Sequence, residues 1–175
     1  MKKSVAIVFL GLSLAFSSSV SAQKNIVKFV PVGGVVQTQH AGGESLTSGF
    51  YKIAVGYERV FGAKTSGQFD LGGLLGTQLG QGSMGYIKAA FKYYLLDDAP
   101  HGLNLGAYVP VAFGSLAVIT GLGANVGYQM FFLDDRLAAG ADLGIGFGYV
   151  AGIGEGAGGN PGANIDISVG AGYAF

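Results

Sequence analysis

The fold of this chain is decided by one stretch, ANIDISVGAGYAF, which covers Ala163–Phe175. Every odd-numbered position in it is apolar, whereas the even-numbered positions are polar or small. Successive side chains of a β-strand point to opposite faces, so the pattern predicts a strand with one apolar face and one polar or small face. Such a strand needs an apolar environment on one side and a polar environment on the other.

The same stretch finishes on an aromatic residue, Phe175. An alternating strand that ends in Phe resembles the last strand of bacterial outer-membrane β-barrels, which the outer-membrane assembly machinery recognises. The resemblance implies an all-β fold, a transmembrane antiparallel up-and-down barrel in the outer membrane of a Gram-negative bacterium, surrounded by outer-membrane lipid. The assembly signal would then comprise Val169, Ala171, Tyr173 and Phe175. Lys28-Phe29 and Tyr57-Glu58-Arg59 are also similar to uncharacterised barrel families of that group.

Residues 1–22 have the features of an export signal. A basic start and an apolar run to Phe16 precede a small-residue cleavage site, Val20-Ser21-Ala22. We expect the mature chain, Gln23–Phe175, to be one domain, and its length suits about eight strands of 9 to 11 residues. The sequence has no cysteine, which excludes a lipid-anchored N-terminus and a thiolate metal site.

The composition argues against nucleic acid as a partner, because ten basic residues are scattered along the chain and matched by ten acidic ones. Transmembrane helices are the rival membrane structure, since residues 102–133 carry no charge. From Ala139 to Tyr149, however, the odd positions are apolar and the even positions are Gly or Asp. A step of two residues turns about 200° on a helix, so this pattern forms an apolar face only on a strand.

Alternation and turn residues predict eight strands, with a repeated Leu-Asp-Asp turn at residues 96 and 133. Two polar or Gly-rich loops, Thr38–Ser48 and Ala151–Gly162, are expected to face outside, and the short turns to face the periplasm. The predicted strands are Asn25–Val36, Gly49–Phe61, Gln68–Gln78, Met84–Leu95, Leu103–Phe113, Leu116–Phe132, Ala138–Val150 and Ala163–Phe175.

The first strand contains Pro31, which cannot donate a ladder hydrogen bond and therefore predicts a bulge or a gap in pairing. We expect Val27, Phe29, Pro31 and Val35 to face outward, with Lys28, Val30 and Val32 inward.

Inward positions of the predicted barrel hold four lysines and four carboxylates. Paired charges can be buried, whereas isolated ones cannot, so the sequence predicts a self-neutralising network that fills the lumen. Lys28, Glu58, Asp70 and Lys92 are expected to cluster near the periplasmic end, with Lys52 and Asp166 nearer the outer end. The complete set is Lys28, Lys52, Glu58, Asp70, Lys88, Lys92, Asp142 and Asp166.

Glycines are abundant on the same inward face. They either leave a path for a solute or make room for the inward Tyr86, Tyr94 and Tyr108. We favour the second alternative, because an eight-stranded barrel is only wide enough for its own side chains or one small ligand.

No motif in the sequence indicates a reaction, a cofactor or a metal. The glycine pattern G-x-G-x-x-G at residues 154–159 leads into Asn160-Pro161 and a strand, where a dinucleotide site needs a helix. His40, Glu44 and Ser45 share one loop and are the residue types of a serine hydrolase site, but the adjacent glycines argue against a rigid arrangement.

We therefore expect a non-enzymatic outer-membrane barrel with a filled lumen, acting in envelope structure or at the cell surface. One alternative is a narrow channel or carrier for a small, hydrophobic solute, and another is a lipid-modifying enzyme.

Overall fold

The computed structural model describes residues 24–41, 44–76, 82–115, 117–153 and 159–175, so the predicted export signal lies outside the described residues. Each strand pairs antiparallel with its neighbours in the chain, and β1 pairs with β8, which closes the sheet into a barrel. The predicted eight-stranded up-and-down barrel is confirmed. Its strands are β1 (Asn25–Ala41), β2 (Glu44–Gly62), β3 (Thr65–Gly76), β4 (Ser83–Tyr94), β5 (Gly102–Phe113), β6 (Ala117–Phe132), β7 (Leu137–Gly152) and β8 (Gly159–Ala174).

The two faces of the barrel wall differ in polarity, as the alternation predicts. On β8, Ile165, Ile167 and Val169 point away from the lumen and are exposed, whereas Asp166 and Ser168 are buried inside. The other strands repeat this arrangement, so the outer surface carries large apolar side chains and the interior carries the polar ones. Examples around the wall are Phe29, Val55, Leu71, Phe91, Leu105, Val126 and Leu143, all of them exposed.

The charge-poor segment that invited a helical interpretation forms β5 and β6. Among the described residues, no helix is long and apolar enough to cross a membrane. The period-two pattern therefore decided correctly between helix and strand.

Two predicted loops are largely strand. The register of β1 and β2 continues through Thr38 opposite Thr47 to Ala41 opposite Glu44, so the predicted loop Thr38–Ser48 was wrong. The predicted loop Ala151–Gly162 overlaps the end of β7 and the start of β8, which pair as far as Ala151 and Gly159. Polar residues in the first segment and glycines in the second removed the alternation, but they do not prevent the backbone ladder.

A bulge interrupts β1 at Pro31–Val32. The register with β2 shifts between Val30 and Gly34, and the register with β8 shifts between Phe29 and Val32. The bulge predicted at Pro31 is confirmed, but the expected parity beyond it was wrong. Val32 is 55% exposed and faces outward, whereas Val35 packs against the apolar core inside. One extra residue on a strand transfers every later side chain to the opposite face.

The strands are staggered around the barrel. Opposed residues can be followed strand by strand from Ile26 until the path returns to β1, and it arrives at Gln37, which lies 11 positions further along (37 − 26 = 11). Such a stagger tilts the strands relative to the barrel axis. The path runs through Ile26, Glu58, Gln68, Ala90, Tyr108, Gly123, Gly146, Asn164 and Gln37.

We call the end of the barrel that holds Asn25 and Phe175 the terminal end. The backbones of these two residues exchange hydrogen bonds of 3.0 and 2.9 Å there. The opposite end, where the β1–β2 hairpin reaches Ala41 and Glu44, is the hairpin end.

Candidate functional site in the barrel lumen

All eight charged residues predicted to face inward lie inside the barrel, where each lysine contacts a carboxylate. Seven of them are buried, and the side chain of Asp142 is 18% exposed. Lys88 lies 3.1 Å from Asp70, and Lys92 lies 3.0 Å from Asp142. The other two ion pairs are Lys28–Glu58 and Lys52–Asp166.

One group of these charges surrounds Glu58 on the terminal-end side of the lumen. The Glu58 carboxylate is fully buried, and it accepts hydrogen bonds from Lys28, from the Ser66 hydroxyl and from the Tyr94 hydroxyl, the last at 2.7 Å. Lys28 also donates to the Gln129 side chain. With several donors around it, a buried carboxylate is well compensated for its lost hydration.

A second group surrounds Asp166, nearer the hairpin end. Asp166 pairs with Lys52 and accepts a hydrogen bond of 2.8 Å from the Tyr86 hydroxyl. Lys88 is shared, because its ammonium lies 3.8 Å from Asp166 as well as 3.1 Å from Asp70.

Asp70 lies level with Lys28 of the terminal-end group, but its ion pair with Lys88 joins it to the second group. The reason is the register: Asp70 lies directly opposite Lys88 in the β3–β4 pair. The two groups are linked by Gln68, whose amide nitrogen donates to Asp70 at 2.7 Å and whose oxygen lies 3.4 Å from the Lys28 ammonium.

Neutral polar residues complete the network, and the sequence analysis did not assign them to it. Ser66 bonds Glu58, Gln129 bonds Lys28, and Ser168 accepts from Lys52 at 2.6 Å. Their inward parity was readable from the alternation of their strands. What could not be read was which charge each one meets, because that depends on the stagger of the whole barrel.

The inward glycines make room for large side chains. A Cβ atom added to Gly123 or Gly144 would come closer than 3.0 Å to the ring of Tyr108, and one added to Gly56 would collide with the Asp70 carboxylate. The sequence left open whether the glycines leave a path for a solute or make room for inward side chains, and these positions do the second. A cavity of ≈ 20 Å³ beside Lys28, Lys92 and Asn104 has room for about one water molecule.

Apolar residues cover the charges towards both ends. Leu74, Tyr86 and Ala112 form a buried cluster towards the hairpin end, with Val35, Phe50, Met84 and Ile119 packed against it. Towards the terminal end, Ile26, Ala138 and Ala174 form a second cluster, against which Phe131 packs. The network is thus enclosed between two apolar layers.

The turn between β4 and β5 contributes to closure at the terminal end. The Gln129 amide donates a 2.7 Å hydrogen bond to the carbonyl of Pro100, and the Ala99 amide donates to the carbonyl of Ala63 at 2.6 Å. These bonds hold the turn against the end of the lumen.

Solvent-exposed ion pairs lie on the rim of the same end. Lys24 donates a 2.8 Å hydrogen bond to Asp135, and this contact holds the pKa of the Asp135 carboxyl below its usual range. His101 Nδ1 lies 3.3 Å from Asp97.

The residues of the expected assembly signal all face away from the lumen. Val169 and Tyr173 are about half exposed, and Phe175 is 65% exposed. The hydrogen bonds described for Phe175 join its backbone to that of Asn25. The ring takes no part in them, so it is available to another molecule.

The structure adds nothing to the case for catalysis or metal binding. The backbone register places His40 opposite Ser45, but the side chains of His40 and Glu44 lie outside the described part of the chain. Most of the glycine pattern at 154–159 also lies outside it, and Gly159 begins a strand. No group of three His, Cys, Asp or Glu residues in the described ranges could hold a metal ion.

Comparisons with known proteins provide no functional identification. No protein-family model matches the chain, and no curated protein matches it significantly. Among solved structures, the chain is similar to the translocator domain of autotransporter NalP from Neisseria meningitidis, with 12% sequence identity, 99% of this chain and 96% of that chain covered, and a TM-score of 0.32. A likeness at this identity and TM-score says nothing about what the chain does.

Proposed function

We propose that the chain is an integral outer-membrane barrel with a closed lumen, which acts in envelope structure or at the cell surface without catalysis or conduction. The observation that carries this proposal is the lumen itself: four lysine–carboxylate pairs lie between two apolar clusters. Ions crossing the barrel would have to displace both the clusters and the paired charges.

Membrane residence is supported by the outer face of the barrel. Large apolar side chains there are exposed on every strand, whereas the polar groups that would need water are inside. In hydrocarbon all backbone polar groups must pair, and a closed barrel meets that requirement because it has no sheet edge. The expected export signal and the outward Phe175 favour the outer membrane, with the terminal end on the periplasmic side.

A closed lumen is also supported by its size. An eight-stranded barrel has an interior that side chains can fill, and here Tyr86, Tyr94 and Tyr108 occupy it while the glycines opposite Tyr108 accommodate the ring. The cavity next to the ion pairs has a volume of only ≈ 20 Å³, which supports a lumen without a continuous water path.

Conductance of the refolded protein in a planar bilayer tests this proposal. We expect no single-channel steps at any salt concentration, although unheated and boiled samples migrate differently on a denaturing gel and so show that the barrel has formed. Reproducible steps that scale with salt would contradict a closed lumen. A silent sample without the gel shift would instead show that no barrel had been tested.

A further inference from the structure

A divided pocket lies at the hairpin end of the lumen. Its inner part is a cavity of ≈ 20 Å³ beside Gln37, Leu74, Ala112 and Ile119. Its outer part is a cavity of ≈ 150 Å³ beside Ser83, Met84, Gly114 and Ala117. Phe50 lines both parts.

The inner cavity contains a polar group that lacks a partner. Gln37 is 2% exposed, and its amide nitrogen has no hydrogen-bond partner among the described residues. A buried N–H group without an acceptor destabilises a protein, so such groups are nearly always satisfied. Asn164 and Asp166 also line this cavity, but neither accepts from the Gln37 amide nitrogen. The Gln37 amide can therefore bond an acceptor supplied from within the cavity.

Phe50 is placed to act as a movable partition. It is half-buried, and its partner on β3 is Gly76, which has no side chain to confine the ring. Rotation of the Phe50 side chain would join the two cavities. A volume of about 150 Å³ holds a benzene-sized body, and the outer cavity, which is open towards the end of the barrel, has that size.

We propose that this pocket binds a small neutral molecule with a benzene-sized apolar body and one hydrogen-bond acceptor, which bonds the Gln37 amide. A charged ligand is disfavoured because the walls of the inner part are mainly apolar and its carboxylate, Asp166, already pairs with Lys52. Binding uses only the hairpin end of the lumen, so it does not depend on whether the barrel conducts.

Ligand binding to this pocket can be followed through the methyl groups of the methionines. The sequence has three methionines: Met1 lies in the expected export signal, Met84 lines the pocket, and Met130 lies on the outer wall. The full chain would be labelled with ¹³C-methyl methionine, refolded into lipid nanodiscs and titrated with acetophenone. We expect the Met84 signal to shift and saturate, while Met130, facing lipid, shows only the linear effect of partitioning.

The hydrogen bond is tested by comparing acetophenone with ethylbenzene, which has a similar size but no acceptor. We expect acetophenone to bind about fivefold more tightly, the effect of one neutral hydrogen bond. Gln37→Leu should abolish this preference while ethylbenzene still saturates Met84, and Ala112→Leu, which fills the inner cavity, should weaken both ligands.

Parallel, unsaturating shifts of Met84 and Met130 would show partitioning into lipid and would overturn the pocket. Equal affinity of the unmodified protein for the two ligands would overturn the assigned role of Gln37. Each variant is first checked for the gel shift of a folded barrel. Should Gln37→Leu fail that check, the comparison of the two ligands on the unmodified protein still decides the question.

Discussion

Ile26 and Gln37 both point into the lumen, although 11 positions separate them on β1 (37 − 26 = 11) and the register once around the barrel joins one to the other. In a regular strand an odd separation places two side chains on opposite faces. Closure of the barrel must nevertheless connect inward residues to inward residues. The bulge at Pro31–Val32 resolves this conflict, because it adds the one residue that makes the separation odd. The bulge therefore accommodates one extra residue and keeps Gln37 inside the closed barrel.

Deletion of Val32 tests that assignment. Without the extra residue the separation falls to 10 (11 − 1), and a regular β1 keeps Val35 and Gln37 inside with the same partners on β2 and β8, so we expect the deletion variant still to form the heat-resistant barrel band on a gel. Val32→Ala keeps the chain length and the bulge and should form the band as well. Loss of the band in the deletion variant alone would show that β1 does not simply absorb one extra residue at this point.

Much of this fold could be predicted from alternation alone. The strict pattern at Ala163–Phe175 identified an inside and an outside. The same alternation on all the strands placed the eight lumen charges on the correct face. The parity beyond Val30 could not be predicted, because it reverses where two consecutive residues, Pro31 and Val32, both face outward at the bulge. The pairing of charges was equally hidden: Lys28 meets Gln129, 101 positions away, only because the strands are staggered.

The Glu58 site offers a test of the ionic network. Replacing Glu58 by Ala would leave the Lys28 ammonium without its carboxylate in the lumen, together with unsatisfied Ser66 and Tyr94 hydroxyls. Breaking one partner of a buried ion pair typically costs about 3 to 5 kcal/mol, and we expect a loss of that size in urea unfolding from lipid vesicles.

Lys24→Ala is the matched control for Glu58→Ala. It breaks the exposed Lys24–Asp135 pair, whose side chains are 38% and 65% exposed, and water replaces the lost contact, so no measurable change in unfolding is expected near neutral pH. Because the pKa of Asp135 is lowered, the stabilisation from this pair is present above the usual pKa of a carboxyl. That stabilisation is lost as the pH falls through the lowered pKa. Similar losses of stability in both variants would contradict a buried, tightly coupled Glu58 site.

Gly123 tests whether the inward glycines accommodate aromatic rings. A methyl group there would overlap the ring of Tyr108, so Gly123→Ala should lower the free energy of unfolding by about 1 to 3 kcal/mol. Gly82→Ala is the control, since a Cβ at that position meets no atom of the described residues within 4 Å. In a Tyr108→Leu background the cost of Gly123→Ala should largely disappear. An unchanged cost there would mean that the ring is not the obstacle.

Phe175→Ala tests whether this residue serves assembly into the outer membrane or the stability of the folded barrel. Its ring is 65% exposed, and the hydrogen bonds that fix the residue to Asn25 come from its backbone, so Phe175→Ala should leave urea unfolding of the refolded barrel unchanged within about 0.5 kcal/mol. If the ring is instead the contact for the outer-membrane assembly machinery, the same variant should reach the outer membrane of cells in reduced amount. Leu133→Ala is a suitable control, because it removes another exposed apolar side chain, 70% exposed, in the β6–β7 turn. Normal assembly of Phe175→Ala would refute the signal, whereas a matching loss of refolded stability would assign Phe175 to the fold itself.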